Sequence, residues 1–312
     1  MNGMELAQAF WDEHKDELFA GELAPYAERA AAGLVGEGSE CWGYDDETSR
    51  DHDWGPGCCI WLTRDDFDAV GAELARRYEK AASQPFQGFQ PRVPASASAA
   101  GRVGVFRVEA FYVRFLHEGM PRALDEWRRA DEVQLAAATN GRVFVDGAGR
   151  FTEIRERLLA YYPEDLRLHR IANGCLIAAQ AGQYNFPRQA VRGEDLGALA
   201  ALSRFSDAAQ QVVFALEKTY RPFYKWSARR MLELGDFGRS VHGHLDAALA
   251  MFRSGNVSAA TQAIEHACER ITAELVDRGL SSSSDAWLVS QAEQVNARVQ
   301  DESLRNSNLM EP

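Results

Sequence analysis

Residues 34–62 read LVGEGSECWGYDDETSRDHDWGPGCCIWL, and how this stretch is divided decides what the first half of the chain is. Leu34-Val35 is a short apolar step into the turn-forming run Gly36-Glu37-Gly38-Ser39. From Arg50 to Leu62 the pattern turns strand-like, with Ile60-Trp61-Leu62 following a bulge or kink at Gly55-Pro56-Gly57. On an extended strand, Asp51 and Asp53 project from the same face, because side chains alternate with a period of two. Two hard carboxylate ligands are then within reach of one or two Mg²⁺ ions. The Gly38-Ser39 turn lets backbone N–H groups and a hydroxyl approach phosphate oxygens closely. An acidic pair in a chain with 46 acids is commonplace, and so is a Gly-Ser pair. Eleven residues separate Ser39 from Asp51, and the combination is far more specific than either half.

Working outward, residues 4–20 predict a helix with Leu6, Phe10, Trp11 and Leu18 on its apolar face. An Ala-rich helix is expected over 22–33, ending at Gly33. Phe67, Val70, Leu74 and Tyr78 fall at helical spacing over 65–80, with Thr63 or Asp65 as cap. Residues 83–101, broken by Pro85, Pro91 and Pro94, read as an irregular loop. A strand over 103–108 runs into a helix over 109–117, and Arg142–Asp146 is a further short apolar piece. From Phe151 onward the chain reads as helical: Ala208, Val212, Leu216 and Thr219 share one stripe, and Val257, Ile264, Ile271 and Leu275 another. The terminal residues 304–312 are expected to fray. The expected fold class is therefore α+β, with a mixed α/β domain over 1–150, opened by a helix, and an α-helical bundle domain over 151–312.

Composition narrows the function. At 312 residues the chain accommodates two ordinary domains. No window approaches the roughly 18 unbroken apolar residues of a membrane helix, so no membrane partner is expected. The first residues lack a basic stretch and cleavage site, which makes the cytoplasm the expected compartment. A net charge of −12 argues against long nucleic acid as a partner, since a phosphate backbone is bound by clustered Lys and Arg. Five cysteines without CxxC spacing read as free thiols.

The run Gly38-Ser39 to Ser49-Arg50-Asp51-His52-Asp53-Trp54 resembles the signature of the nucleotidyltransferase superfamily: a Gly-Ser turn, a short gap, then Ser-Asp-x-Asp. More closely, it is similar to a bacterial family of unknown function placed in that superfamily. The likeness continues through Gly141–Asp146, Tyr161–Asp165 and Tyr220–Trp226. The resemblance implies a small mixed-sheet catalytic domain followed by a helical bundle, the layout of aminoglycoside nucleotidyltransferases. It further implies that Gly38 and Ser39 hold the triphosphate of an NTP such as ATP, while Asp51 and Asp53 bind a pair of magnesium ions. Arg50 is a candidate phosphate contact. Lys225 is either a cation offered to the triphosphate or one of the packing residues around Tyr220, Phe223, Tyr224 and Trp226.

Superfamily enzymes usually place a third carboxylate on a neighbouring strand, as metal ligand or general base. The strand expected there, Val103–Val108, has Gly104 at the relevant position. Glu109 and Asp146 stand as substitutes, each with a structural alternative: helix-terminus charge for Glu109, turn formation for Asp146. The expected function is transfer of a nucleoside monophosphate from an NTP to a hydroxyl of a small-molecule acceptor. The alternatives are a nucleotide-binding protein of this fold without turnover, and a transferase acting on tRNA or a protein.

Overall fold

The structure, a computed structural model, describes residues 1–50, 53–93, 101–117 and 119–310. Asp51 and His52 lie outside the described residues, as does 94–100 of the expected loop. Contacts divide the chain into two compact units: Met1–Pro121 with Gln134–Ala160, and Arg122–Val133 with Tyr161–Pro312. The fold is α+β: a small four-stranded mixed sheet with helices in the first unit, and a helical C-terminal region.

The first unit opens with α1 (Gly3–Leu18), whose start is fixed by a capping box between Asn2 and Glu5. After α2 (Ala24–Ala27) comes β1 (Ala31–Leu34). The helix expected over 22–33 is thus only a short turn followed by a strand. Ala favours helices in isolation, but Ala31, Ala32 and Leu34 are buried at the centre of the sheet. Gly33 packs so tightly there that a Cβ would stand 2.4 Å from the Arg142 carbonyl oxygen. Tertiary packing overrides local preference.

The short helix α3 (Ser39–Trp42) follows, then β2 (Cys59–Leu62), α4 (Arg64–Ala82), β3 (Gly104–Arg107) and α5 (Val108–Val113). The side chain of Thr63 caps α4, accepting from the Asp66 N–H at 3.3 Å. The remaining pieces of the first unit are most of α7 (Glu132–Thr139, after α6, Leu124–Arg129), β4 (Arg142–Asp146) and α8 (Arg150–Leu159). Strand order is β3-β2-β1-β4, with β2 and β3 parallel and both other pairs antiparallel.

All four residues of β2 are buried, as a continuous apolar run in a central strand requires. Ile60 and Leu62 join Phe10, Leu18 and Leu74 in a core against α1 and α4. Trp61 faces the other way, stacked on Phe151 at 3.8 Å and edge-on to Phe111 at 5.2 Å. Tyr78 ties α4 to the sheet: its hydroxyl donates to the Cys58 carbonyl at 2.8 Å and accepts from the Cys58 N–H at 3.0 Å. Tyr78→Phe leaves the Cys58 N–H buried and unpaired, while the Cys58 carbonyl keeps the Gly104 N–H at 3.0 Å, so about 1–2 kcal/mol of stability is expected to be lost. Urea unfolding of the variant checks this.

The helical region contains α9 (Glu164–Ala178), a π-helical turn over Ala179–Asn185, α10 (Phe186–Val191), α11 (Asp195–Leu216), α12 (Tyr224–Met231), α13 (Gly235–Arg253), α14 (Val257–Asp277), α15 (Leu288–Asn296) and α16 (Glu302–Arg305). The stripes Ala208, Val212, Leu216 and Ile264, Ile271, Leu275 are buried. Within the stretch expected to fray, two of the described residues are held in place: Leu304 is buried, and the Leu309 carbonyl accepts from the Asn173 amide at 2.6 Å. Buried Tyr161, Tyr162 and Tyr220 surround an ion pair between Arg170 and Glu132, whose guanidinium lies 5.0 Å from the Tyr162 ring centre. No helix among the described residues is long and apolar enough to cross a membrane.

Candidate functional site

Strand polarity gathers the candidate residues at one end of the sheet. β1 ends at Leu34 where its antiparallel neighbours begin, with Gly33 opposite Cys59 and Leu34 opposite Arg142. β3 starts at the same end, because Gly104 pairs with Cys59 in the parallel ladder. The loops before β2, β3 and β4 and the turn after β1 therefore converge. Asn140, just before β4, clamps the turn by accepting from the Gly36 N–H at 2.9 Å and donating to the Gly36 carbonyl at 2.8 Å.

Gly38 has φ of +139° and precedes α3, and a Cβ there would lie 2.5 Å from a Glu40 carboxylate oxygen. The turn thus needs Gly both for its backbone and for the carboxylate beneath it. Gly38→Ala is expected to cost about 1–3 kcal/mol through this strain, read from the shift in the urea midpoint. Ser39, half-buried, opens α3.

Asp53 is not on an extended strand. Its φ is +55°, a left-handed conformation that Asp tolerates, and β2 begins only at Cys59. The same-face argument for Asp51 and Asp53 consequently does not carry over from a strand, and Asp51 is outside the described residues. Gly55 and Gly57 also have positive φ, so the segment 53–58 is a glycine-shaped loop.

Two arginines organise this loop. Arg92 donates to Glu40 Oε1 at 2.8 Å, to the Gly55 carbonyl at 3.1 Å and to the Asp53 carbonyl. It pins the loop to α3. The Asp53 N–H completes the anchoring by donating to the Val93 carbonyl at 3.0 Å. Arg102 places Nη1 3.4 Å from Asp53 Oδ2 and Nε 3.9 Å from Glu37 Oε2. Glu40 and Asp53 are both buried, at 3% and 6% exposure, and each carries a guanidinium. That pairing is what makes burial of two charges tolerable. Glu37, Arg92 and Arg102 were not singled out as site residues from sequence; only the fold brings 37–40, 92 and 102 around Asp53.

Asp45 accepts from the Gly3 N–H at 2.7 Å, at the start of α1, and from Trp54 Nε1 at 3.0 Å. An acid at a helix N-terminus is favoured electrostatically. Trp54 packs edge-on to Phe89 at 5.0 Å. Arg50 lies over the Trp54 ring at 4.7 Å and donates to the Met1 carbonyl at 3.1 Å. Cys41, Cys58 and Cys59 are buried free thiols; burial pushes Cys59 up to about 12 and the other two well up.

Of the substitutes for the third acid, Glu109 lies in the first turn of α5 and accepts from Arg150 Nε at 3.2 Å. Asp146 accepts from the Thr152 N–H at 2.7 Å, holding the first turn of α8. Gly104 has φ of +133°, which strains any L side chain, although the space beside it is open apart from Phe106 at 3.8 Å. Lys225 is exposed on α12 of the second unit, its Nζ 4.6 Å from the Trp226 ring centre.

Residues 127–227 match a family model described as Domain of unknown function (DUF4037). The matched span begins after the Gly38–Asp53 segment and includes Tyr161–Asp165 and Tyr220–Trp226. No match was found among curated proteins or solved structures.

Proposed function

We propose that the protein is a Mg²⁺-dependent nucleotidyltransferase, moving a nucleoside monophosphate from an NTP to a hydroxyl of a small-molecule acceptor. The observation that carries this reading is the convergence of the Gly36–Ser39 turn and the buried Asp53 carboxylate at one end of a mixed sheet. The likeness of residues 38–54 to the superfamily signature supplies the chemistry to test there.

Asp53 offers a divalent ion a hard oxygen donor, and the Arg102 guanidinium beside it is the charge such an ion would have to replace. Among the described residues no three acidic, imidazole or thiol side chains gather as a ligand group; Asp51, outside those residues, is the second ligand that the resemblance implies. When bound, Mg²⁺ neutralises the polyphosphate and orients the attacking and leaving oxygens. Gly38 permits close approach of the phosphates, and Ser39 offers a hydroxyl to the departing pyrophosphate. Arg92 and Asn140 keep the two loops in register while the substrate binds.

The direct test supplies the protein with Mg²⁺ and each of the common NTPs over a panel of hydroxylated small molecules, with pyrophosphate release as readout. Asp51→Asn and Asp53→Asn are run alongside. Release that survives both substitutions removes the assignment. Gly104, whose φ of +133° would strain the acid that the resemblance leads one to expect there, favours a second reading: a nucleotide-binding protein without turnover. Calorimetric NTP binding in Mg²⁺ without pyrophosphate release selects that reading instead.

A further inference from the structure

We propose that Arg102 is the resting counter-cation of Asp53, and that a divalent ion must displace it to reach that carboxylate. The inference rests on the metal-dependent reading above and adds a positioning residue to it. The two arginines of the site differ in how firmly they are held. Arg92 makes a 2.8 Å bond to Glu40 and reaches two further carbonyls. Arg102 stands 3.4 Å from Asp53 and 3.9 Å from Glu37, beyond the roughly 2.7–2.9 Å of a good charge-assisted bond. Its Nε is buried and makes no hydrogen bond among the described residues.

The backbone of Arg102 is fixed separately, its carbonyl accepting from the Cys59 thiol at 3.3 Å. The side chain can therefore leave without moving the start of β3. A carboxylate as buried as Asp53 needs a cation beside it. Arg102 supplies that charge, and the same charge repels a second cation. A loosely bonded guanidinium is the one that gives way. Free metal then binds weakly, and the ion enters best with polyphosphate, whose negative charge takes over the released guanidinium.

The test titrates Mn²⁺ into the full chain without nucleotide, following free Mn²⁺ by electron paramagnetic resonance. Wild type is compared with Arg102→Gln, Arg102→Lys and Asp53→Asn, each checked for folding by near-ultraviolet circular dichroism. Arg102→Met, which keeps the aliphatic stem, is a second neutral variant should the Gln variant misfold. Arg102→Gln is expected to bind Mn²⁺ roughly tenfold more tightly, while Arg102→Lys stays close to wild type. Asp53→Asn is expected to abolish binding. If the neutral variants match wild type while Asp53→Asn still abolishes binding, the role of Arg102 is overturned and Asp53 remains a ligand. Equal tightening by Gln and Lys overturns it too, because charge is then not the cause. Mn²⁺ binding indifferent to Asp53→Asn removes both the metal site and this inference.

Discussion

On the proposed metal-dependent transfer, Asp53→Asn is expected to lower Mg²⁺-dependent pyrophosphate release by about a thousandfold, with the fold retained. The substitution keeps side-chain size, and Asn tolerates the left-handed φ of +55° as Asp does. The Asp53 N–H bond to Val93 and the carbonyl bond from Arg92 are made by backbone and persist. What disappears is the carboxylate charge facing Arg102. Losing a ligand that holds the ion against the phosphates removes several kcal/mol of transition-state stabilisation, which is about three decades in rate. Near-ultraviolet circular dichroism and urea unfolding report the fold, and pyrophosphate release reports the chemistry. A loss below tenfold in a folded variant contradicts the role given to Asp53.

Arg92→Met is expected to cost about 3–5 kcal/mol of stability, the typical penalty for stranding one partner of a buried ion pair. The side chains of Arg92 and Glu40 are 9% and 4% exposed, so Glu40 has little water to turn to. The carbonyls of Asp53 and Gly55 lose a donor in the same step. Arg92→Lys is expected to recover only part of the loss, because an ammonium cannot reproduce the planar fork that reaches three acceptors. Adding Glu40→Gln to Arg92→Met removes the stranded charge, and the double variant is expected to be more stable than Arg92→Met alone. Urea unfolding of wild type, Arg92→Met, Glu40→Gln and the double variant measures the coupling. Additive losses would mean that the pair does not act as a unit.

Where local periodicity was strong, the elements were legible in the sequence. α1, α4 and the helical stripes of α11 and α14 each bury a face that recurs at the helical period, so spacing alone locates them. β1 was not legible. Ala31-Ala32-Gly33-Leu34 has no alternation because both its faces and both its edges are covered, and Ala in a short window reads as helix. The segment before β2 misled in a related way. Gly55 and Gly57 take backbone angles open to glycine, and they turn the expected strand into a loop.

The candidate site divides along the same line. The sequence by itself determined that Gly38, Ser39, Asp51 and Asp53 fall within one short stretch, since motif spacing is a local property. It also determined the α+β class, because helical and strand periods differ along the chain. Only the tertiary structure decided that Arg92 and Arg102, remote in sequence, are the cations that make Glu40 and Asp53 buriable. Charge compensation depends on distance through space, and chain order carries no record of which guanidinium arrives beside which carboxylate. The strand order β3-β2-β1-β4 makes that choice, by bringing the ends of three non-adjacent segments to one end of the sheet.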